Sequence, residues 1–243
     1  MLSGKTLRGL SLCLVMWNTL HILHASGQPT EVMAEAKVRL TGTENASKHS
    51  SNEGVVLWLI PVDASASTAG SPASAKEHLQ LAQKNKQFVP HLLVVQVGSV
   101  IDFPNLDPFF HNVFSYFNGK RFDLGLYESG SSRSVHFDRP GVSYIFCNIH
   151  PEMSAVVVSV PTPYFAVSSP AGSLIIRDVP PGAYAMHVWA VGSSDSNLAA
   201  IGRRVSVSGN SIDLGTIAIE ESAPAAHKNK FGEDYEEKRP AAY

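Results

Sequence analysis

The chain has 243 residues, 44% of them hydrophobic and 16% charged, with a formal net charge of −2. That length supplies a core for one large domain or two small ones, and the near-neutral charge leaves no basic footprint for nucleic acid. Only two cysteines are present, Cys13 and Cys147.

Lys5 and Arg8 precede an apolar run from Leu10 to Leu23, and the small residues Ala25-Ser26-Gly27 follow it. These are the three parts of a secretory signal, predicted over residues 1–27, so a periplasmic or secreted product is expected. Leu12 stands before Cys13, where a lipoprotein signal needs a small residue, which argues against a lipid anchor. Cys147 is then the single thiol of the mature chain. In an oxidising compartment cysteines usually pair, and an odd one suggests intermolecular pairing, a reactive thiol or a metal ligand. No later run reaches the roughly 20 apolar residues that cross a bilayer, so no membrane span is expected.

The remaining sequence reads as β structure. Ala36–Leu40 and Val55–Ile60 are predicted strands separated by a polar stretch. Ala64 to Ala75 is nearly all Ala, Ser, Thr, Gly and Pro, as in a flexible linker or surface insertion. Lys76 to Lys86 fits a strand through Leu79 and Leu81 and a short helix through its Ala, Gln, Lys and Glu content. Leu92–Val97 and Val100–Phe103 are predicted strands joined by a tight turn at Gly98-Ser99. Val142–Cys147 and Ala155–Val160 follow, then Ser173–Ile176, the turn at Pro180-Pro181-Gly182, Tyr184–Trp189, Arg204–Val207 and Ile217–Ile219. Residues 220–243 mix Ala-Pro with charges and have little to bury, so a disordered tail is predicted.

The chemistry concentrates in Phe146-Cys147-Asn148-Ile149-His150-Pro151-Glu152-Met153, where a thiolate, an imidazole and a thioether are spaced C-x-x-H-x-x-M. His111, in Asp107-Pro108-Phe109-Phe110-His111-Asn112, lies upstream. Two imidazoles, a thiolate and a weak axial thioether are the set that selects copper in an electron-transfer site. Pro151 restricts the backbone just after His150. A lone buried cysteine is also a common small hydrophobe, and Glu152 is an alternative to Met153 as axial donor. His136, on an expected strand, and His187, beside Trp189, are read as structural or surface histidines, and His49, His78, His91 and His227 have no companions at ligand spacing; none receives a role.

From about Phe88 to Val160 the chain resembles the cupredoxins, or blue (type 1) copper proteins. The resemblance rests on Val97-Gly98-Ser99-Val100 with Phe103-Pro104-Asn105, on His111-Asn112-Val113-Phe114, on Gly141 with Tyr144-Ile145-Phe146-Cys147, and on the Cys-His-Met loop. The two residues between His150 and Met153 make that loop similar to amicyanin, where plastocyanins have a longer one. The resemblance implies His111, Cys147 and His150 in the copper plane, Met153 axial, Asn112 tying the two ligand loops together, and one copper ion. It also makes the half-exposed face at His150 and Pro151 the electron port. Tyr164–Val167, Gly172–Ile176 and Val179–Tyr184 resemble a carboxypeptidase regulatory-like β-sandwich, and some proteins of this layout are labelled methylamine utilisation proteins.

The expected fold is therefore all-β: a cupredoxin-like Greek-key sandwich at 76–161 and a second small sandwich of immunoglobulin or transthyretin type. The second would use 36–63 with 164–219, with the first either inserted into it or arranged in tandem. The expected function is single-electron transport between a donor and an acceptor protein, such as a dehydrogenase or a cytochrome. Copper capture or delivery is an alternative, as is an envelope sandwich that binds carbohydrate or protein and has a secondary copper site. An enzyme is not expected: Cys147 is flanked by Phe146 and Asn148 where multicopper oxidases and nitrite reductases have histidine, and neither H-E-x-x-H nor G-x-S-x-G occurs.

Overall fold

The computed structural model describes residues 33–42, 51–62, 79–116, 119–209, 211–221, 229–231 and 233. The predicted signal, Cys13, the Ala/Ser linker, His49, His78, His227 and most of the predicted tail lie outside the described residues. Among them, no helix is long and apolar enough to cross a membrane.

The β-rich reading of the sequence holds. Strands β1 (Met33–Gly42) and β2 (Val56–Pro61) open the described chain; β3 (Leu79–Gln80), β4 (Ala82–Lys84), β5 (Gln87–Val89), β6 (Leu92–Gln96) and β7 (Ser99–Pro104) follow. Next come β8 (His111–Ser115), β9 (Phe122–Tyr127), β10 (Ser132–Phe137), β11 (Gly141–Phe146) and β12 (Ser154–Val160). The chain continues through β13 (Phe165–Val167), β14 (Ser173–Ile176), β15 (Gly182–Trp189), the short helix α1 (Asp195–Ile201), β16 (Arg203–Val207) and β17 (Ser211–Glu221).

Pairing sorts these strands by sequence region. Two sheets, ordered β14-β1-β17 and β13-β2-β15-β16, use only strands before residue 62 and after residue 164. Strands between 79 and 160 form a five-stranded sheet ordered β6-β12-β11-β8-β9, a three-stranded sheet ordered β10-β7-β3, and the β4-β5 hairpin. β2 leaves its sheet at Pro61 and the chain returns beside it as β13, with Phe165 opposite Trp58.

The continuous β-branched run of β12 has a physical reason. Val156, Val158 and Val160 belong to one core cluster with Leu57, Leu59, Tyr184 and Met186. Ala155 and Val157 point into a second cluster with Phe103, Ile145, Cys147 and Met153. Successive side chains of a strand face opposite ways, so a strand buried on both faces is mostly apolar, with the small Ser159 the buried polar exception here. Leu92, Val94, Val142 and Tyr144 also pack against the first cluster, so the β6-β12-β11 face lies between the two cores.

Two expectations change. Leu92–Gln96 and Ser99–Pro104 do not pair with each other: β6 lies parallel to β12 and β7 antiparallel to β10. The turn at Gly98 (φ +97°) carries the chain from one sheet to the other instead of closing a hairpin. The described part of Lys76–Lys86 forms the short strands β3 and β4 and a turn at Asn85-Lys86, with no helix; Leu81 and Gln83 are both fully buried and Gln83 donates to the Phe103 carbonyl. In addition, Glu220 and Glu221, assigned to the tail on sequence, are the last residues of β17 beside Thr41 and Gly42.

Gly172 shows how close the backbone approach is in the first pair of sheets. It adopts φ +76°, and a Cβ there would lie 2.3 Å from the Val38 carbonyl oxygen. Gly172→Ala is expected to lower stability by about 1–3 kcal/mol, measured by denaturant titration, with the metal centre's properties unchanged because the site belongs to the other core.

Candidate metal centre

The site is built where β8, the end of β11 and the start of β12 meet. All five residues of β8 are buried, so His111, its first residue, starts from a fixed backbone. Cys147 directly follows β11. The chain then turns and re-enters as β12, with Phe146 opposite Ser154 and Ile145 opposite Ala155. The Met153 N–H donates to the His150 carbonyl (3.0 Å), and the Cys147 N–H to the Met153 carbonyl (3.3 Å). Three prospective donors are thereby confined to one closed turn, with Pro151 and Glu152 exposed at its tip.

Cys147 Sγ lies 3.7 Å from His111 Nδ1 and 3.6 Å from His150 Nδ1, and the two Nδ1 atoms are 3.1 Å apart. The three form the cluster of metal-capable donors among the described residues. Donors held about 2.0–2.3 Å from a shared centre at angles of about 100–120° stand about 3.1–4 Å from one another, so this triangle fits a single ion. His111, Cys147 and Met153 are 0% exposed, whereas His150 is half-buried. Met153 shares its core cluster with Cys147. Glu152 is exposed and stands outside the donor triangle.

The sequence reading passed over Asp107, which the structure makes central to the site. His111 Nε2 donates to Asp107 Oδ2 at 2.9 Å. A carboxylate only accepts, so the ring proton is held on Nε2 and Nδ1 keeps its lone pair for the site. Asp107 is itself 3% exposed and accepts the N–H groups of Asn85 (2.6 Å) and Lys86 (2.9 Å). Both residues have φ near +55°, in the turn between β4 and β5. Burial pushes the Asp107 carboxyl up, but these hydrogen bonds and the neighbouring imidazole outweigh it and hold the group below its ordinary value. A carboxyl four residues before a ligand histidine was the available signal. Phe109 packs against both imidazoles, with ring centroids 5.2 Å from His111 and 5.6 Å from His150.

Burial pushes the Cys147 thiol up, while the main-chain N–H groups of Asn112, Ile149 and His150 work in the other direction by bonding sulfur. The metal-free site therefore favours the thiol, and these N–H groups are in place to stabilise the thiolate that a metal ion would demand. The expected tie between the ligand loops through Asn112 runs through its main-chain N–H. Its side-chain amide turns instead to Asp123 on β9, donating to Oδ1 at 2.7 Å.

The remaining described histidines lie elsewhere. His91 and His136 are exposed. His187 stacks on Trp58, with centroids 5.4 Å apart and rings 12° from parallel.

No family model matches the chain, and no curated protein does. Among solved structures it is similar to a purple cupredoxin from Nitrosopumilus maritimus, with 23% identity and a TM-score of 0.31 over 34% of this chain and 99% of that one. A proline-to-glycine variant of amicyanin, in its reduced Cu(I) form at pH 4, matches with 22% identity and a TM-score of 0.32 over 37% of this chain and 92% of that one. The Cu-containing nitrite reductase from Thermus scotoductus SA-01 matches with 21% identity and a TM-score of 0.33 over 42% of this chain and 27% of that one.

Proposed function

We propose that this chain is a periplasmic type 1 copper protein that carries single electrons between a donor and an acceptor protein. The supporting observation is the convergence of one sulfur and two Nδ1 atoms on a buried point, with all three within 4.8 Å of one another. Two imidazoles, one thiolate and a weak thioether are a donor set that would suit both oxidation states of copper. In this reading His111, Cys147 and His150 would hold the ion, with Met153 as a further weak donor. Bound copper supplies the one-electron couple between Cu(I) and Cu(II).

The chain's own residues do the rest. Asp107 holds the His111 ring proton away from the site, and the N–H groups around Cys147 offset the buried negative sulfur. The β8–β11–β12 frame holds the donors together before any ion arrives, which limits rearrangement during electron exchange. His150, half-buried beside exposed Ile149 and Pro151, is the edge where redox partners would approach. An outer-sphere carrier, rather than an enzyme, is favoured by the flanks of Cys147, since Phe146 and Asn148 offer no imidazole path to a second metal. Residues 76–161 are read as a cupredoxin unit inserted into a sandwich built from 36–63 and 164–219, supported by the pairing of β2 with β13.

Protein film voltammetry on the copper-loaded protein tests the carrier role. A reversible one-electron wave with one copper per chain supports it. Stable copper uptake with no reversible wave would move the assignment to capture or delivery. Met153→Gln is expected to keep the copper and shift the midpoint potential, because the axial ligand tunes it. An unshifted potential would remove Met153 from the ligand set.

A further inference from the structure

Lys230, far along the chain from the metal centre, bonds two residues that lie near it. Its main-chain N–H donates to Asn148 Oδ1 at 3.1 Å, and Asn148 is the residue after Cys147. Its Nζ donates to Asp123 Oδ2 at 2.9 Å, and Asp123 Oδ1 accepts from the Asn112 side chain at 2.7 Å, next to His111. One lysine therefore joins the Cys147 loop to the neighbour of the His111 strand.

Strands β8 and β11 carry the two ligand regions and pair at Phe114 opposite Phe146, while β9 lies on the other side of β8 with Asp123 opposite Phe114, so Lys230 bridges β9 to the loop that follows β11. The segment around Lys230 also makes hydrogen bonds within itself. The Asn229 N–H donates to the Glu233 carbonyl (2.8 Å), and Asn229 Oδ1 accepts the N–H groups of Phe231 and Glu233. Phe231, 71% exposed, lies under its neighbour's ammonium at 5.4 Å. Asp123 is a receptive anion: burial opposes its charge, but the Gly125 N–H, Asn112 and Lys230 together hold it ionised below the ordinary carboxyl value.

We propose that Asn229, Lys230 and Phe231 form a strap, with Lys230 as its positioning residue, that holds the two ligand loops together and slows the exchange of bound copper. The proposal rests on the copper reading above for its rate effect but not for the docking itself. The ion pair is about three-quarters buried at each end, with side chains 23% and 28% exposed, so salt should weaken it by screening.

The test uses three proteins: the full chain, the Lys230→Met variant, and a chain ended after Glu221. Copper(I) transfer to bathocuproine disulfonate at low salt is expected to be about two- to fivefold faster in both altered proteins, the range set by a partly exposed ion pair. Half-molar sodium chloride should bring the full chain towards their rate and leave theirs unchanged. In metal-free protein, chymotrypsin should cleave after Phe231 faster in Lys230→Met than in the full chain by a similar factor. Equal cleavage rates would overturn the strap. Faster cleavage with equal copper transfer would overturn its effect on the metal while leaving the docking intact, and a protein that takes up no copper would sink the metal reading alone.

Discussion

Cys147→Ala is expected to abolish the intense red absorption of the copper-loaded protein completely, while the fold persists. That band needs a thiolate bound to Cu(II), and Cys147 is the sole cysteine among the described residues. The structural cost is small because only a sulfur atom leaves a core that also contains Phe103, Ile145 and Val157. A loss of about 1 kcal/mol is expected for so small a cavity, read from denaturant midpoints of the metal-free proteins. Colour that survived the substitution would mean that another group holds the ion.

Asp107→Ala is expected to have the larger effect on the protein itself. It removes one acceptor from three donors at once: the Asn85 N–H, the Lys86 N–H and His111 Nε2. His111 is fully buried while Asn85 and Lys86 are exposed residues whose N–H groups water can reach, so the cost is mainly that of one buried donor left without a partner, and a loss of about 1–3 kcal/mol is expected. Copper affinity should also fall about 10–100-fold, since nothing then fixes the tautomer and ring angle of His111. Asp107→Asn separates the two effects in part: its single amide oxygen can still accept the Asn85 N–H, but its NH2 then faces the Lys86 N–H and His111 Nε2, so stability recovers only partly and affinity stays low. The pH dependence follows the same contacts. A carboxyl with a native value below 3.8 contributes stability that is present above the unfolded value and is lost as pH falls through the native one. Acid unfolding of the full chain should therefore steepen below about pH 4, and Asp107→Ala should lack that component. Identical acid profiles would show that Asp107 is not held ionised by these contacts.

The Cys147 loop was legible in the sequence because it is local: a strand, a closed turn and the next strand bring the three donors together within seven residues. His111 was legible only through its resemblance to a known pattern, since nothing local says that its strand passes the Cys147 turn. Apolar runs such as Ala155–Val160 announced themselves because burial on both faces removes most polar alternation. β9 and β10 gave no comparable signal: Phe122–Tyr127 and Ser132–Phe137 carry many exposed residues, and each buries only one face. Asp107 was hidden because its meaning depends on Asn85 and Lys86, which reach it only once the β4-β5 turn has folded. Lys230 was hidden for a similar reason. A lysine in a charged terminal stretch has the composition of a solvated tail, and only the placement of Asn148 and Asp123 gives it a partner.

The most direct measurement of the central claim is the visible absorption spectrum of the purified protein after adding one equivalent of Cu(II), with ferricyanide to keep it oxidised. An intense red band that ascorbate removes and reoxidation restores is the predicted result. A protein that binds Cu(II) without that band, or binds none, would contradict the assignment of His111, Cys147 and His150 as a type 1 copper site.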